Sequence, residues 1–179
     1  MALPEVVGIA LAGFLAWLFV VAGVHKLRYP AQFSELAAQY LPVPLRPLWR
    51  DGLVYPLGVL EVAMALALLL PQSRGVAALT AAALLASYAL MMAWQLLQGR
   101  RDLRCGCAGP ASDVLVSPAL VLRNLLTAGL ALLLALPPGP MTLSVAGLML
   151  ALGMAGFFIG LYLGAEQLIS NGQHMARSR

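Results

Sequence analysis

Charge is what this sequence has least of. Only 10% of its 179 residues are Asp, Glu, Lys or Arg, where a soluble domain carries about 25%. Instead 61% are hydrophobic and the mean hydropathy is +0.88. No polar block is long enough to fold by itself, so the chain reads as one membrane domain, residues 1–179. Histidine and cysteine are scarcer still, two of each. A structural zinc site needs four ligands, and His25 and His174 lie far in sequence from the cysteines, so no metal is expected. Met1 to Glu5 holds no Lys or Arg, and the apolar run after it leads into further runs, which argues against a cleaved signal peptide. The formal charge of +4 and pI near 9.5 would suggest nucleic acid in a soluble protein. Here Lys and Arg flank apolar runs, as membrane topology requires, and no nucleic-acid partner is expected.

What is present is a series of five apolar runs, at about 6–24, 53–70, 75–97, 119–136 and 141–169. The first four are close to the ~20 residues that carry a helix across the hydrocarbon, and the fifth is longer. The first closes at His25-Lys26-Leu27-Arg28-Tyr29-Pro30, with basic and aromatic residues suited to headgroup depth. Phe33, Leu36, Ala37, Tyr40 and Leu41 then recur at helical spacing in a stretch too polar to span. This predicts a short amphipathic helix on the membrane surface, broken by Pro42, Pro44 and Pro47. Ser117-Pro118 supplies a plausible cap and first residue for the fourth span. In the last run Gly156, Gly160 and Gly164 form a small-residue stripe, expected to pack a helix within the bundle or between copies in a homo-oligomer.

Charged groups inside these runs stand out. Glu61 sits near the middle of the second run, where insertion costs roughly 2.5–3.5 kcal/mol, so it should face the interior beside a partner. Lys26 and Arg123 are the candidates, and the pair could be structural or could assist proton and charge movement. Arg123-Asn124 lies about a turn inside the fourth run. The arginine could snorkel, pair with Glu61, or donate hydrogen bonds to a bound anion or quinone carbonyl.

Both cysteines fall in one polar loop, Arg104-Cys105-Gly106-Cys107-Ala108-Gly109-Pro110. Thiols two residues apart close a disulfide only if the backbone bends enough to bring their Cα atoms within about 4.4–6.8 Å. Gly106 permits the bend, and a strained disulfide is the easily reduced, catalytic or regulatory kind. Arg101 and Arg104 would favour the thiolate, although the same arginines could merely anchor the loop to headgroups. The competing readings are a structural clip and a pair of inert buried thiols. Sidedness is contested. Five spans put Lys26, Arg28, Arg46, Arg50, Arg100, Arg101, Arg104, Arg177 and Arg179 on the cysteine side, against Arg74 on the other. That distribution makes the cysteine side cytoplasmic, whereas disulfides persist outside the cytoplasm.

The run Ala22-Gly23-Val24-His25-Lys26-Leu27, followed by Pro30, Phe33, Tyr40, Leu41-Pro42, Glu61, Cys105-Gly106-Cys107 and Arg123-Asn124, resembles the MauE family of DoxX-like membrane proteins. The resemblance runs to about Leu136. Ala108 departs from it, since the family usually has phenylalanine after the second cysteine. The organisation is also similar to that of vitamin K epoxide reductase and DsbB. The resemblance implies an all-α integral membrane fold: a four-helix transmembrane bundle plus a fifth transmembrane helix, with a short surface helix after the first span. It implies a bacterial inner-membrane protein with the CGC loop outside the cytoplasm, against the Lys/Arg distribution. Cys105 and Cys107 would exchange electrons with a thioredoxin-like partner of the MauD or TlpA type. A quinone would be the redox cofactor, contacted by Arg123 and Asn124, with Glu61, His25 and Lys26 assisting charge and proton movement. The alternatives are a non-catalytic membrane anchor or assembly factor, and a small subunit of a quinone-linked sulfur oxidoreductase.

Overall fold

A computed structural model describes residues 3–40, 52–100, 102–105, 114–139 and 144–177. Among these residues six helices follow in order: α1 Glu5–Arg28, α2 Pro30–Tyr40, α3 Val54–Leu69, α4 Arg74–Leu97, α5 Pro118–Leu134 and α6 Val145–Arg177. Helices α1, α4 and α6 are long and apolar enough to cross a membrane, and α3 and α5 are shorter apolar helices. The protein is an all-α, multi-pass membrane protein. Proline marks several boundaries: Pro71 follows α3, Pro118 opens α5 and Pro137-Pro138 follow it. Lacking an N–H and fixed in φ, proline suits a first turn and cannot continue a helix.

Helix α1 lies at the centre. Leu11, Ala12, Phe14, Leu15, Ala16, Leu18 and Phe19 are all buried, so the helix is covered on nearly every face. Helices α3 and α6 pack on it, α4 pairs with α3 and α5, and small residues such as Ala77, Ala78, Ala81 and Ala131 let the helices approach. The closest meeting is between α1 and α3. A Cβ added at Gly23 would stand 2.7 Å from the Gly58 carbonyl oxygen and 2.8 Å from Val62 Cγ2. One added at Gly58 would lie 3.1 Å from the Gly23 oxygen. The two backbones touch directly, as only glycine at both positions allows.

At the end remote from Cys105, Leu3 N–H donates to Pro137 O at 3.0 Å and Gly139 N–H to Leu3 O at 2.9 Å. The turn after α3 is closed by Ser73 Oγ donating to Ala67 O at 2.8 Å and Arg74 Nε to Leu68 O at 3.2 Å. These bonds satisfy carbonyls that a helix terminus otherwise leaves open.

The last helix begins at Val145 and runs to Arg177, eight residues past the end of the fifth apolar run. Its glycine stripe does not pack within the chain: among the described residues nothing lies within 4 Å of a Cβ placed at Gly156, Gly160 or Gly164. The reason is that α6 docks through a different face. Phe158 and Tyr162 sit against Phe14, with ring centroids 5.9 and 6.1 Å away, and Tyr162 meets Trp17 edge-on at 6.2 Å. The glycines are left on the outer surface among exposed apolar residues such as Phe157 and Leu161.

Gly23→Ala should force α1 and α3 apart and destabilise the protein by about 1–3 kcal/mol, the range for overpacking a tight contact. Gly160→Ala meets open space and should change stability by less than about 0.5 kcal/mol. Thermal unfolding of the detergent-solubilised variants separates the two.

Candidate functional site

The connection from α4 to α5 is held as a short antiparallel ribbon, with Arg104 opposite Leu115. Cys105 N–H donates to Val114 O at 2.9 Å and Val116 N–H donates to Leu103 O at 2.8 Å. Leu103, Val114 and Val116 are buried in a small cluster with Tyr40, Met92 and Leu120, against which Cys105 packs. Tyr40 secures the ribbon from α2, its hydroxyl donating to Arg104 O at 2.6 Å. Gln95 Nε2 in turn donates to Tyr40 O at 2.9 Å. Arg100 donates to Gln95 Oε1 and to Gln39 O, each at 3.0 Å. Arg100 and Gln95 thus tie the end of α2 to the end of α4. The Arg104 side chain is exposed.

Cys105 is half-buried, with Sγ 3.7 Å from Met92 Sδ. It lines a cavity of about 120 Å³ together with Lys26, Glu61, Tyr88 and Asn124, the rest of the wall being mostly apolar. The amphipathic face of α2, with Phe33, Leu36, Ala37 and Tyr40, forms one wall, so this helix covers the bundle mouth.

Inside the cavity the charged groups neutralise each other. Glu61 is fully buried. Lys26 Nζ donates to both of its oxygens at 2.9 and 2.8 Å, and the Tyr88 hydroxyl donates to Oε1 at 2.8 Å. The ammonium also sits over the rings of Phe33 (5.3 Å) and Tyr88 (5.7 Å). The meeting follows from helix geometry. Side chains lean toward the N-terminus of their own helix, so Lys26 points back down α1 into the bundle and Glu61 points toward the mouth. Each residue lies one turn beyond the glycine at which α1 and α3 touch.

Of the two candidate partners for Glu61 the structure selects Lys26. Arg123 turns the other way: its Nη1 is 3.6 Å from Glu166 Oε2 on α6 and its guanidinium stacks 4.5 Å from the Tyr162 ring centre. Neighbouring Asn124 faces the cavity. It is 3% exposed, and its Nδ2 has no hydrogen-bond partner among the described residues. His25 is half-buried with a buried Nδ1, but it does not line the cavity. Cys107 and Arg101 lie outside the described residues, as do Leu41, Pro42, Pro44 and Pro47.

Tyr88, Tyr162, Glu166 and Gln173 were not singled out from the sequence. Glu166 was legible by the logic that marked Glu61, being an acid within an apolar run. Tyr88 gave no such sign, since one tyrosine in an apolar helix reads as packing.

Lys26→Met should destabilise the protein by about 3–5 kcal/mol, because it leaves a buried carboxylate without its cation. Lys26→Met combined with Glu61→Gln should recover most of that loss. A double-mutant cycle on thermal unfolding reads both.

Residues 4–137 match the family model described as Methylamine utilisation protein MauE, a match that covers α1 to α5 and stops before α6. A MauE of Paracoccus denitrificans is 38% identical over 145 residues, 78% of this chain and 77% of that protein. One from Methylophilus methylotrophus is 32% identical over 162 residues, 87% of this chain and 82% of the relative. No solved structure matches significantly. With the family model matched over most of its length, and relatives of that name aligned over more than three quarters of it, the chain belongs to the MauE family.

Proposed function

We propose that this protein is a membrane thiol-disulfide oxidoreductase whose Cys105–Cys107 pair exchanges electrons with a thioredoxin-like protein of the MauD or TlpA type at the outer face of the bacterial inner membrane. The observation that carries this reading is the position of Cys105: a thiol at the rim of a mostly apolar cavity, beside a buried amide donor and a neutralised ion pair. A thiolate of the reduced partner attacks the disulfide and forms a mixed disulfide while one sulfur of the pair leaves as thiolate. The partner's second thiolate then attacks the mixed bond. The partner emerges as a disulfide, and Cys105 and Cys107 as two thiols, having gained two electrons and two protons. Reoxidation returns the same two electrons and two protons to an acceptor.

A quinone fits the cavity on chemical grounds. The walls are apolar, Lys26 and Glu61 cancel each other's charge, and Asn124 Nδ2 offers a buried donor suited to a carbonyl oxygen. A bound quinone would supply the two-electron, two-proton acceptor. Asn124 would orient such a ligand, and Glu61 and Tyr88 line the same cavity as the thiol. Arg123 stands apart from this set, engaged with Glu166 and Tyr162.

With a thioredoxin-like protein stripped of its resolving cysteine, the oxidised wild type should give a mixed disulfide. Cys105→Ser and Cys107→Ser should each abolish it, because neither variant can present a disulfide to attack. Trapping that persists in both overturns the mechanism. If the Cys105→Ser/Cys107→Ser variant still supports maturation of the partner's target, the protein is an anchor or assembly factor instead. In intact cells a membrane-impermeant thiol reagent should label the pair only after reduction. Labelling confined to permeabilised cells would put the loop in the cytoplasm, as the Lys/Arg distribution has it.

A further inference from the structure

Leu115 and Arg104 form the ribbon pair that does not bond across the ladder. The inter-strand bonds run from Cys105 to Val114 and from Val116 to Leu103, so the main-chain groups of Arg104 and Leu115 turn outward at opposite edges. On one edge the Arg104 carbonyl takes the Tyr40 hydroxyl, and α2 stands behind it. On the other, a single side chain from α6 satisfies both groups of Leu115. Leu115 N–H donates to Gln173 Oε1 at 2.8 Å and Gln173 Nε2 donates to Leu115 O at 2.8 Å.

A primary carboxamide presents a carbonyl acceptor beside an N–H donor, as a peptide unit does, with one further N–H to spare. Gln173 therefore occupies Leu115 as the main chain of a third strand would. Around it Gly172, His174 and Ala176 are exposed, while Ile169 one turn earlier packs against the ribbon cluster, so the Gln173 bonds can exchange without dismantling the docked part of α6. Resting on the thiol-exchange reading above, we infer that the Leu115 edge is where an extended main-chain segment beside the partner's reactive cysteine docks, with Gln173 as its placeholder. Strand addition of this kind draws its affinity from main-chain bonds and depends little on the partner's side chains. It would align the partner's chain with the ribbon that carries Cys105. Docking replaces the two Gln173 bonds by two main-chain bonds and frees the end of α6.

The test uses the full-length protein in lipid nanodiscs and the thioredoxin-like protein without its resolving cysteine. Gln173→Ala removes the competitor, so mixed-disulfide formation should accelerate about three- to ten-fold, the scale of one or two net hydrogen bonds. Alkylation of Cys105 by iodoacetamide should stay within about two-fold, the mark of an intact ribbon. The Leu115 amide of the variant should exchange its hydrogen rapidly when free and slowly once the mixed disulfide has formed. Trapping at an equal or slower rate, or a Leu115 amide that stays unprotected in the complex, overturns the docking edge while leaving thiol exchange standing. No trapping with wild type and variant alike removes thiol exchange, and the docking edge with it.

Discussion

A carboxylate with no exposure to solvent, in a helix meant for lipid, dictates much of this architecture. Lys26 gives the Glu61 carboxylate two N–H···O contacts and Tyr88 a third hydrogen bond. Those contacts in turn require α1 and α3 to lie backbone against backbone at Gly23 and Gly58, one turn away. Removing the glycines would withdraw the lysine from its partner, and removing the lysine would leave a charge that costs several kcal/mol to bury. The fold and the polar lining of the cavity thus share one cause.

The broad fold was legible because the hydrocarbon thickness imposes a length, and the apolar runs have it. The first three helices of that kind lie close to the runs read from the sequence, and prolines mark their ends. Glu61 could be recognised as needing a cation, since burying it alone is prohibitive. Which cation could not be read. Lys26 and Arg123 satisfy the same electrostatic demand, and only the lean of the side chains and the path of α6 decide between them. Arg123 was drawn elsewhere by Glu166 and Tyr162, which lie some forty positions along the chain. The glycine stripe left two readings open for a related reason: small residues permit close packing but do not require it, and packing within the bundle is set aside because aromatic side chains on another face fix how α6 docks.

The geometry of the thiol region was opaque. Two cysteines around a glycine suggest an exchangeable pair, yet nothing in their spacing foretold a clasped ribbon. Its clasps, Tyr40 and Gln173, come from two different helices, and Gln95 braces Tyr40 from a third. Each is a polar side chain satisfying main-chain groups that no helix or sheet could reach. Such contacts depend on tertiary approach, so they leave little local pattern. Helix α6 shows this most clearly. It lies beyond the stretch matched by the family model, yet it touches the cavity through Tyr162, the buried arginine through Glu166 and the ribbon through Gln173.

The neutrality of the Lys26–Glu61 pair reaches beyond stability. A transmembrane voltage does work of roughly 2.3 kcal/mol per 100 mV on each net elementary charge that crosses the bilayer, and a contact ion pair moving as a unit carries none. With opposite charges 2.8 Å apart, the cavity floor is nearly blind to the energised state of the membrane. An uncharged molecule entering beside it would meet a floor that the voltage does not displace.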